Sequence, residues 1–274
     1  MRVLAAPVCL PDVQSRYGRT PFPPRMPFTP GYAVVGDVDA VGRGVTRVGP
    51  GDRVAALTGT GGYADAIELH ERALIPVPTT VEPTEAAVIV LNYLVAYQTL
   101  HRVARVAAGD SILVVGASGG IGTALLDLGR YAGLRMVGLA SPRKHVVVEH
   151  FGAAPVDYHR PDLRDRLHWL EPNGFHAVLD GVGGTSIDLG LALLRRNGIL
   201  VSYANPGSFR GLVALLAKLV VVNLLSKGKA LKVYGTTATF ANRRPLFDDW
   251  ATLFDLLARG AIHPVIHDVF ALSD

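Results

Sequence analysis

The hydrophobic pattern changes character about a third of the way along the chain. Up to residue 83, short apolar stretches of β type are separated by proline and glycine clusters such as Pro21-Phe-Pro-Pro24 and Thr29-Pro-Gly31. The stretches 32–41 and 52–56 predict strands, and Val41-Gly-Arg-Gly-Val45 and Val48-Gly-Pro-Gly-Asp52 predict turns. Together they describe an irregular β module. From Thr84 onward the pattern alternates between helical and extended periods. It predicts helix 84–105, strand 111–115, helix 120–132, strand 135–140, helix 143–150, strand 177–180, helix 185–195, strand 198–203 and strand 231–236. That alternation is the pattern of a parallel, doubly wound α/β sheet. Helix 246–259 and a last β-like run, 264–270, lead back towards the first module. The expected division is therefore 1–83, 84–238 and 239–274, the last segment rejoining the first.

One junction in this pattern carries chemistry. The apolar run Ile112-Leu-Val-Val115 stops at Gly116, and Ala117, Ser118, Gly119, Gly120, Ile121 and Gly122 lead straight into a helical pattern. Glycines in a strand-to-helix turn let the backbone bend sharply and pass close to a phosphate. The following helix start offers unpaired N–H groups and the positive end of its dipole. The flanking strand and helix are the context that makes a glycine triplet informative, the alternative being an ordinary strand–helix turn. About 20 residues on, an NAD site would place an acid against the ribose hydroxyls. The predicted strand 135–140 ends instead at Ser141, with Arg143 and Lys144 just beyond. A small hydroxyl and two cations suit a 2′-phosphate, so the expected cofactor is NADPH rather than NADH. The competing reading makes Arg143 and Lys144 solvated charges at a helix start.

Composition narrows the class. Of 274 residues, 49% are hydrophobic and 18% charged, the formal net charge is +4, and the mean hydropathy is +0.30 with a pI near 9.3. No Lys/Arg block with interleaved aromatics is present, so no nucleic-acid partner is expected. Cys9 is the sole cysteine, which excludes an internal disulfide and a four-thiolate zinc site. With no signal-peptide pattern at the N-terminus, a cytoplasmic, reducing location is expected. The apolar segment 211–225 contains Lys218 and Asn223 and is shorter than the roughly 20 residues of a spanning helix. It is expected to be a buried or dimer-facing helix, or an apolar lid near the substrate, with no membrane span.

Further stretches carry a resemblance over the length of the chain: Pro27-Phe-Thr-Pro-Gly-Tyr-Ala-Val-Val-Gly36 through Val48-Gly-Pro-Gly-Asp-Arg-Val54, Gly61-Gly-Tyr-Ala64, Leu91-Asn-Tyr-Leu-Val-Ala-Tyr-Gln98, the Gly109–Gly122 segment, Asp180-Gly-Val-Gly-Gly184, and Gly260-Ala-Ile-His-Pro-Val-Ile266. The chain resembles the medium-chain dehydrogenase/reductases of the zinc-free quinone oxidoreductase and zeta-crystallin branch. The resemblance implies a GroES-like β module beside a Rossmann domain, with the nicotinamide in a cleft between them. It also implies a homodimer joined near strand 231–236, and NADPH-dependent hydride transfer to a quinone or an activated C=C bond of an enone or enoyl substrate. In this pattern the pyrophosphate lies over Ser118 to Ile121. The 2′-phosphate lies by Ser141, Lys144 and Tyr158, and Val182, Gly183, Tyr203 and Ala204 lie along the nicotinamide ribose. Tyr158 has an alternative as a half-buried tyrosine at a strand end.

Zinc-dependent relatives need about three ligands of Cys, His or carboxylate type. Cys9 falls at the first ligand position, but Gly31-Tyr32-Ala33 replaces the Gly-His-Glu stretch of the second, and the third region reads Leu91-Asn92-Tyr93. No metal is expected, and Cys9 is read first as a small buried hydrophobe. An enolate formed on hydride delivery needs stabilisation and a proton. The candidate groups are Gln14, Asn92 and Tyr93, with the Cys9 thiol, water or a ribose hydroxyl as further sources. Family members begin earlier and continue further, so the chain is expected to be truncated at both ends of the β module. The alternatives to the reductase are a zinc-type alcohol dehydrogenase relative and a catalytically impaired NADPH-binding protein.

Overall fold

The structure is a computed structural model of the chain and describes residues 1–225, 228–235 and 244–273. It divides into two compact units, Met1–Leu94 with Arg243–Asp274, and Val95–Asn242. The expected boundary at 238/239 lies outside the described residues, as does residue 236 at the end of the expected strand 231–236.

In the first unit, β1 (Arg2–Ala5), β2 (Ala33–Asp37), β3 (Arg53–Leu57) and β4 (Ile75–Pro76) form an antiparallel sheet in that order. The expected strands 32–41 and 52–56 are thus present, the first shortened because the chain turns away after Asp37. Val34, Val38, Val54, Ala56 and Leu74 close a small core. Sequence periodicity missed α1 (Leu10–Arg16), a seven-residue helix capped by Cys9. Two further segments complete this unit: α2 (Pro83–Val88), which runs on as π turns through Ile89–Tyr93, and α9 (Arg244–Ala258). Their contact is fixed by the buried Trp250 indole, which donates to the Val90 carbonyl at 3.1 Å. The run 264–270 is not a strand. Val265, Ile266, Val269 and Phe270 are exposed, and a β-type run without a partner strand buries neither its backbone nor its side chains.

In the second unit a six-stranded, all-parallel sheet runs β10-β9-β8-β5-β6-β7. Its strands are β5 (Ser111–Val115), β6 (Arg135–Leu139), β7 (Ala154–Val156), β8 (Phe175–Asp180), β9 (Leu194–Ser202) and β10 (Lys229–Val233). The expected helix 84–105 ends here as α3 (Leu94–Tyr97) and the π-helical Gln98–Ala104. The connections are α4 (Gly120–Tyr131), α5 (His145–His150) after a 3-10 turn at Pro142–Lys144, α6 (Leu163–Leu170), α7 (Thr185–Leu193) and α8 (Phe209–Leu225). The pattern shows neither β7 nor α6: α6 is short and polar, and β7 is only three residues, Ala154-Pro155-Val156, with a proline at its centre. Strands covered on both faces read as unbroken apolar runs, and every residue of β5 is buried. The core gathers Leu113, Val115, Val137, Leu139, Val178 and Leu200 across four strands.

Chain order reverses between β5 and β8: β6 and β7 extend the sheet to one side, β9 and β10 to the other. Ligands of doubly wound sheets bind at such a switch point, beyond the carboxyl ends of the strands.

The free edge of β10 is partly closed from within. The Asn223 side chain donates to the Leu231 carbonyl (2.8 Å) and accepts from the Leu231 N–H (3.1 Å). The amide of α8 therefore mimics one residue of an added strand. Any pairing of a second copy along this edge is left with the outward groups of Lys229 and Val233, two residues away on either side. Replacing Asn223 with Ala is expected to cost about 1 kcal/mol of unfolding free energy, the net worth of a partly solvated hydrogen-bonded pair. Sedimentation velocity should also show more concentration-dependent association, because an unpaired edge recruits strands.

Candidate functional site

The site is built at the carboxyl ends of β5, β8, β9, β6 and β7. At β5 the chain leaves the strand at Gly116 with φ +85, in the left-handed region that favours glycine. It then passes through Ala117 and Ser118 to Gly119 and enters α4 at Gly120. A Cβ on Gly122 would stand 2.2 Å from the Gly116 carbonyl oxygen and 2.7 Å from the backbone of Ala117. Only a glycine lets the first turn of α4 seat this tightly on the loop. No side chain caps the start of α4, so its first N–H groups, including that of Ile121, point with the dipole towards the loop mouth.

The second wall comes from β8. Asp180 is fully buried, and among the described residues no cation pairs with it. Its carboxylate is neutralised by donors alone: the N–H groups of Val182 (3.1 Å) and Gly183 (3.0 Å), the Ser186 hydroxyl (2.7 Å) and the Ser202 hydroxyl (3.2 Å). The Asp180 carbonyl also accepts from the Tyr203 N–H at 2.9 Å. One residue thus fixes the turn after β8, the start of α7 and the end of β9. The result brings Val182 beside Gly116 and Gly183 beside Ala204: added Cβ atoms would meet those neighbours at 3.6 and 3.1 Å. Burial, followed by the Asp180 charge, holds the Tyr203 phenol well above its ordinary pKa, so it is a neutral donor across the physiological range. Sequence reasoning named Val182, Gly183, Tyr203 and Ala204 only through the resemblance. The clamp at Asp180 was quoted within a motif but not assigned a role.

The third wall follows β6 and β7, which are neighbours. Ser141 precedes the Pro142–Lys144 turn and accepts from the Lys144 N–H at 2.8 Å. Arg143 and Lys144 are exposed, and among the described residues no carboxylate pairs with either. Tyr158, just past β7, is 47% exposed, its ring tilted against that of His159 with centroids 4.2 Å apart. A ring exposed to this extent at a strand end fits both the half-buried tyrosine and the 2′-phosphate reading. The sequence-expected cofactor residues therefore converge on one rim of the sheet.

The expected catalytic residues lie in the first unit. Gln14 is half-buried on α1, Asn92 is half-buried in the π segment after α2, and Tyr93 is buried at 1% exposure. Cys9 is also buried, and burial pushes its thiol up to about 12, with the Asp12 charge adding to it. Asp12 itself is buried and splits its carboxylate between the Gly31 N–H (2.8 Å) and the Cys9 N–H (3.1 Å). It ties α1 to the Gly31 loop. The Tyr63 phenol is raised too, first by burial, then by the charges of Asp12 and Cys9 and a hydrogen bond to Asp12. Among the described residues, no three His, Cys, Asp or Glu side chains stand close enough to hold a metal ion. A zinc ion does not fit this donor set: at the Cys9 position the nearby carboxylate is spent on backbone N–H groups, and the Gly31 loop presents Tyr32 instead of an imidazole.

The Cys9 environment has a measurable consequence. A thiol raised from 9.0 to about 12 holds about a thousandfold less thiolate at neutral pH. Its stabilising contribution is present below the unfolded value and is lost as pH rises through the folded one. Iodoacetamide at pH 8 should leave Cys9 unmodified in the native protein and label it on denaturation. Rapid native labelling would show that the thiol is exposed and ionised.

Comparison with known proteins agrees with this geometry. Residues 1–79 match the alcohol dehydrogenase GroES-like domain model, and residues 151–274 match the zinc-binding dehydrogenase model. The rat synaptic vesicle membrane protein VAT-1 homolog is 34% identical over 213 residues, 77% of this chain and 53% of its own length. Human quinone oxidoreductase is 30% identical over 214 residues, 75% of this chain and 65% of its own. A mycobacterial protein solved in complex with NADPH is 27% identical and superposes with a TM-score of 0.82, covering 96% of this chain and 80% of that one. The chain spans about half the length of the vesicle-protein relatives it matches. Among the described residues, no helix is long and apolar enough to cross a membrane. An antiparallel β unit with a parallel, doubly wound unit, matched in order by both domain models and by these relatives, places the chain in the medium-chain dehydrogenase/reductase family, with the quinone oxidoreductases among its relatives.

Proposed function

We propose that this protein is an NADPH-dependent oxidoreductase that reduces a quinone or an activated C=C bond. The observation that supports it best is the rim of the parallel sheet. A helix start without a side-chain cap is packed on its loop through Gly122. At the next strand end stand two cations and no acid. The residues fit the cofactor: the N–H groups at Gly120, Ile121 and Gly122 would hold a pyrophosphate, and Ser141, Arg143 and Lys144 would hold a 2′-phosphate that an acid would repel.

NADPH supplies the hydride. The chain's part is alignment and charge management. The Asp180 clamp fixes Val182, Gly183 and Tyr203 where the ribose would lie, and a fixed approach geometry accounts for much of the rate in such transfers. The substrate oxygen gains negative charge as the hydride arrives, and donor groups that meet it lower the barrier. Gln14 and Asn92 retain exposure for that task. The burial of Tyr93 and the suppressed ionisation of Cys9 favour water or a ribose hydroxyl as the proton source. The same two facts favour a second reading, nucleotide binding without turnover.

Fluorescence titration of the purified protein tests the proposal. NADPH should bind more tightly than NADH, and Lys144→Ala should weaken NADPH about tenfold, the worth of one charge-assisted phosphate contact, while leaving NADH within twofold. Equal affinities for the two nucleotides would end the 2′-phosphate assignment. Gly122→Ala should abolish binding of both, since the added methyl must push α4 off the loop. Consumption of NADPH with a benzoquinone or an enone separates the reductase from the binding-only reading.

A further inference from the structure

At the opposite end of the same sheet lies a cavity of about 960 Å³, lined by Arg102, Arg105, His176, Asn197, Lys229 and Lys232 among others. Among the described residues, no Asp or Glu lines it. It sits at the amino ends of β8, β9 and β10, away from the glycine loop. We propose that this cavity is a second anion site, which takes a small phosphorylated molecule independently of the nucleotide at the glycine loop.

The charge balance supports this. Arg102, Arg105, Lys229 and Lys232 bring four full positive charges. The ends of α7 and of the Gln98–Ala104 turns bring the carbonyl ends of two helices, worth together about one negative charge. Lys229 is spent on the first of these, donating to the Leu191 carbonyl at 2.7 Å, and Arg102 has contacts of its own. Arg105 and Lys232 are exposed and, among the described residues, have no ion-pair partner. Asp110, the carboxylate beside His176, is shared between His176 at 3.1 Å and Arg195 at 3.6 Å. His176 also touches the Arg195 guanidinium. An excess of positive charge remains, and it faces a broad, open depression.

The backbone supplies a second, independent observation. Among the described residues, the non-glycine positions in the left-handed region are Arg105 (φ +54) and Asn197 (φ +61), and both line this cavity. Gly228, at φ +80, lies against Asn197. Arg105 is the left-handed cap that ends the Gln98–Ala104 turns, and asparagine is among the residues that adopt this region readily. Here they turn the chain at the cavity wall, Arg105 as it leaves the Gln98–Ala104 turns and Asn197 within β9. The volume lies within the range of small-molecule pockets and exceeds what a lone phosphate fills. It suits an organic phosphate of about nucleotide size.

Inorganic tripolyphosphate is the probe, titrated calorimetrically at low salt into the full chain. Binding is expected for the wild type. The double variant Arg105→Ser/Lys232→Ser, at two exposed positions, should bind at least tenfold more weakly with an unchanged melting temperature. The variant Arg25→Ser/Arg43→Ser removes equal charge from exposed positions of the other unit and should bind as the wild type does. NADPH affinity, measured in parallel, should not change in either double variant. Absence of binding to the wild type, equal binding by the Arg105/Lys232 variant, or equal loss in the Arg25/Arg43 variant each overturns the proposal. Loss of NADPH binding by the wild type would bear on the glycine-loop reading alone, because the phosphate titration stands without it.

Discussion

Asp180 is the constraint on which the rest of the second unit's rim depends. A buried carboxylate without a cation is tolerable only when donors surround it, and the donors must then hold still. The Asp180 donors are two turn N–H groups and two hydroxyls, drawn from the turn after β8, the start of α7 and the end of β9. Satisfying one charge therefore sets three chain segments at once. Those segments carry Val182, Gly183, Tyr203 and Ala204. The two glycines after β8 have separate reasons: a Cβ on Gly181 would stand 2.6 Å from the Tyr203 ring, and Gly183 has φ +79, in the left-handed region that favours glycine.

The glycine loop works by the converse device. There no carboxylate is present, and the donors at the start of α4 are left without a side-chain partner. Donors in a helix's first turn need an acceptor, and an unfilled set at the switch point of a parallel sheet is a standing preference for an anion. Gly122 makes the preference usable by letting α4 approach until its added Cβ would overlap the Gly116 oxygen. The rim thus contrasts two solutions to the same problem. At β8 the protein supplies the negative charge itself; at β5 it leaves that charge to be supplied.

Much of this was legible in the sequence because the sheet is buried on both faces. Apolar runs such as Ser111–Val115 and the helical period after Gly122 gave β5 and α4 nearly to the residue. The cations after β6 stood out because an acid was missing. Other features were hidden for physical reasons. α6 is too short and too polar to show a period, β7 is three residues centred on a proline, and α1 begins at a leucine followed by a proline. The run 264–270 has the composition of a strand, but pairing is a tertiary property and no partner is available to it. Asn223 looked like a polar interruption of an apolar helix, whereas its amide is fitted to the β10 edge eight residues later. Asp180 and Asp12 were visible as acids, but whether an acid is buried, and against which N–H groups, is decided by the fold.

The two ends of the parallel sheet differ in how they carry positive potential, and the difference predicts different ligands. At the carboxyl ends it comes from oriented N–H groups at the start of α4, which act over a short range and demand a phosphate seated against the backbone. At the amino ends it comes from the side chains of Arg105, Lys229 and Lys232, set against the carbonyl ends of two helices. Side-chain charge acts over a Debye length and is weakened by salt, whereas backbone donors in a close-packed turn are less so. On the proposed reading the glycine loop suits selective, shape-dependent recognition of a dinucleotide. The proposed cationic site suits recognition by charge, whose strength should fall steeply as ionic strength rises.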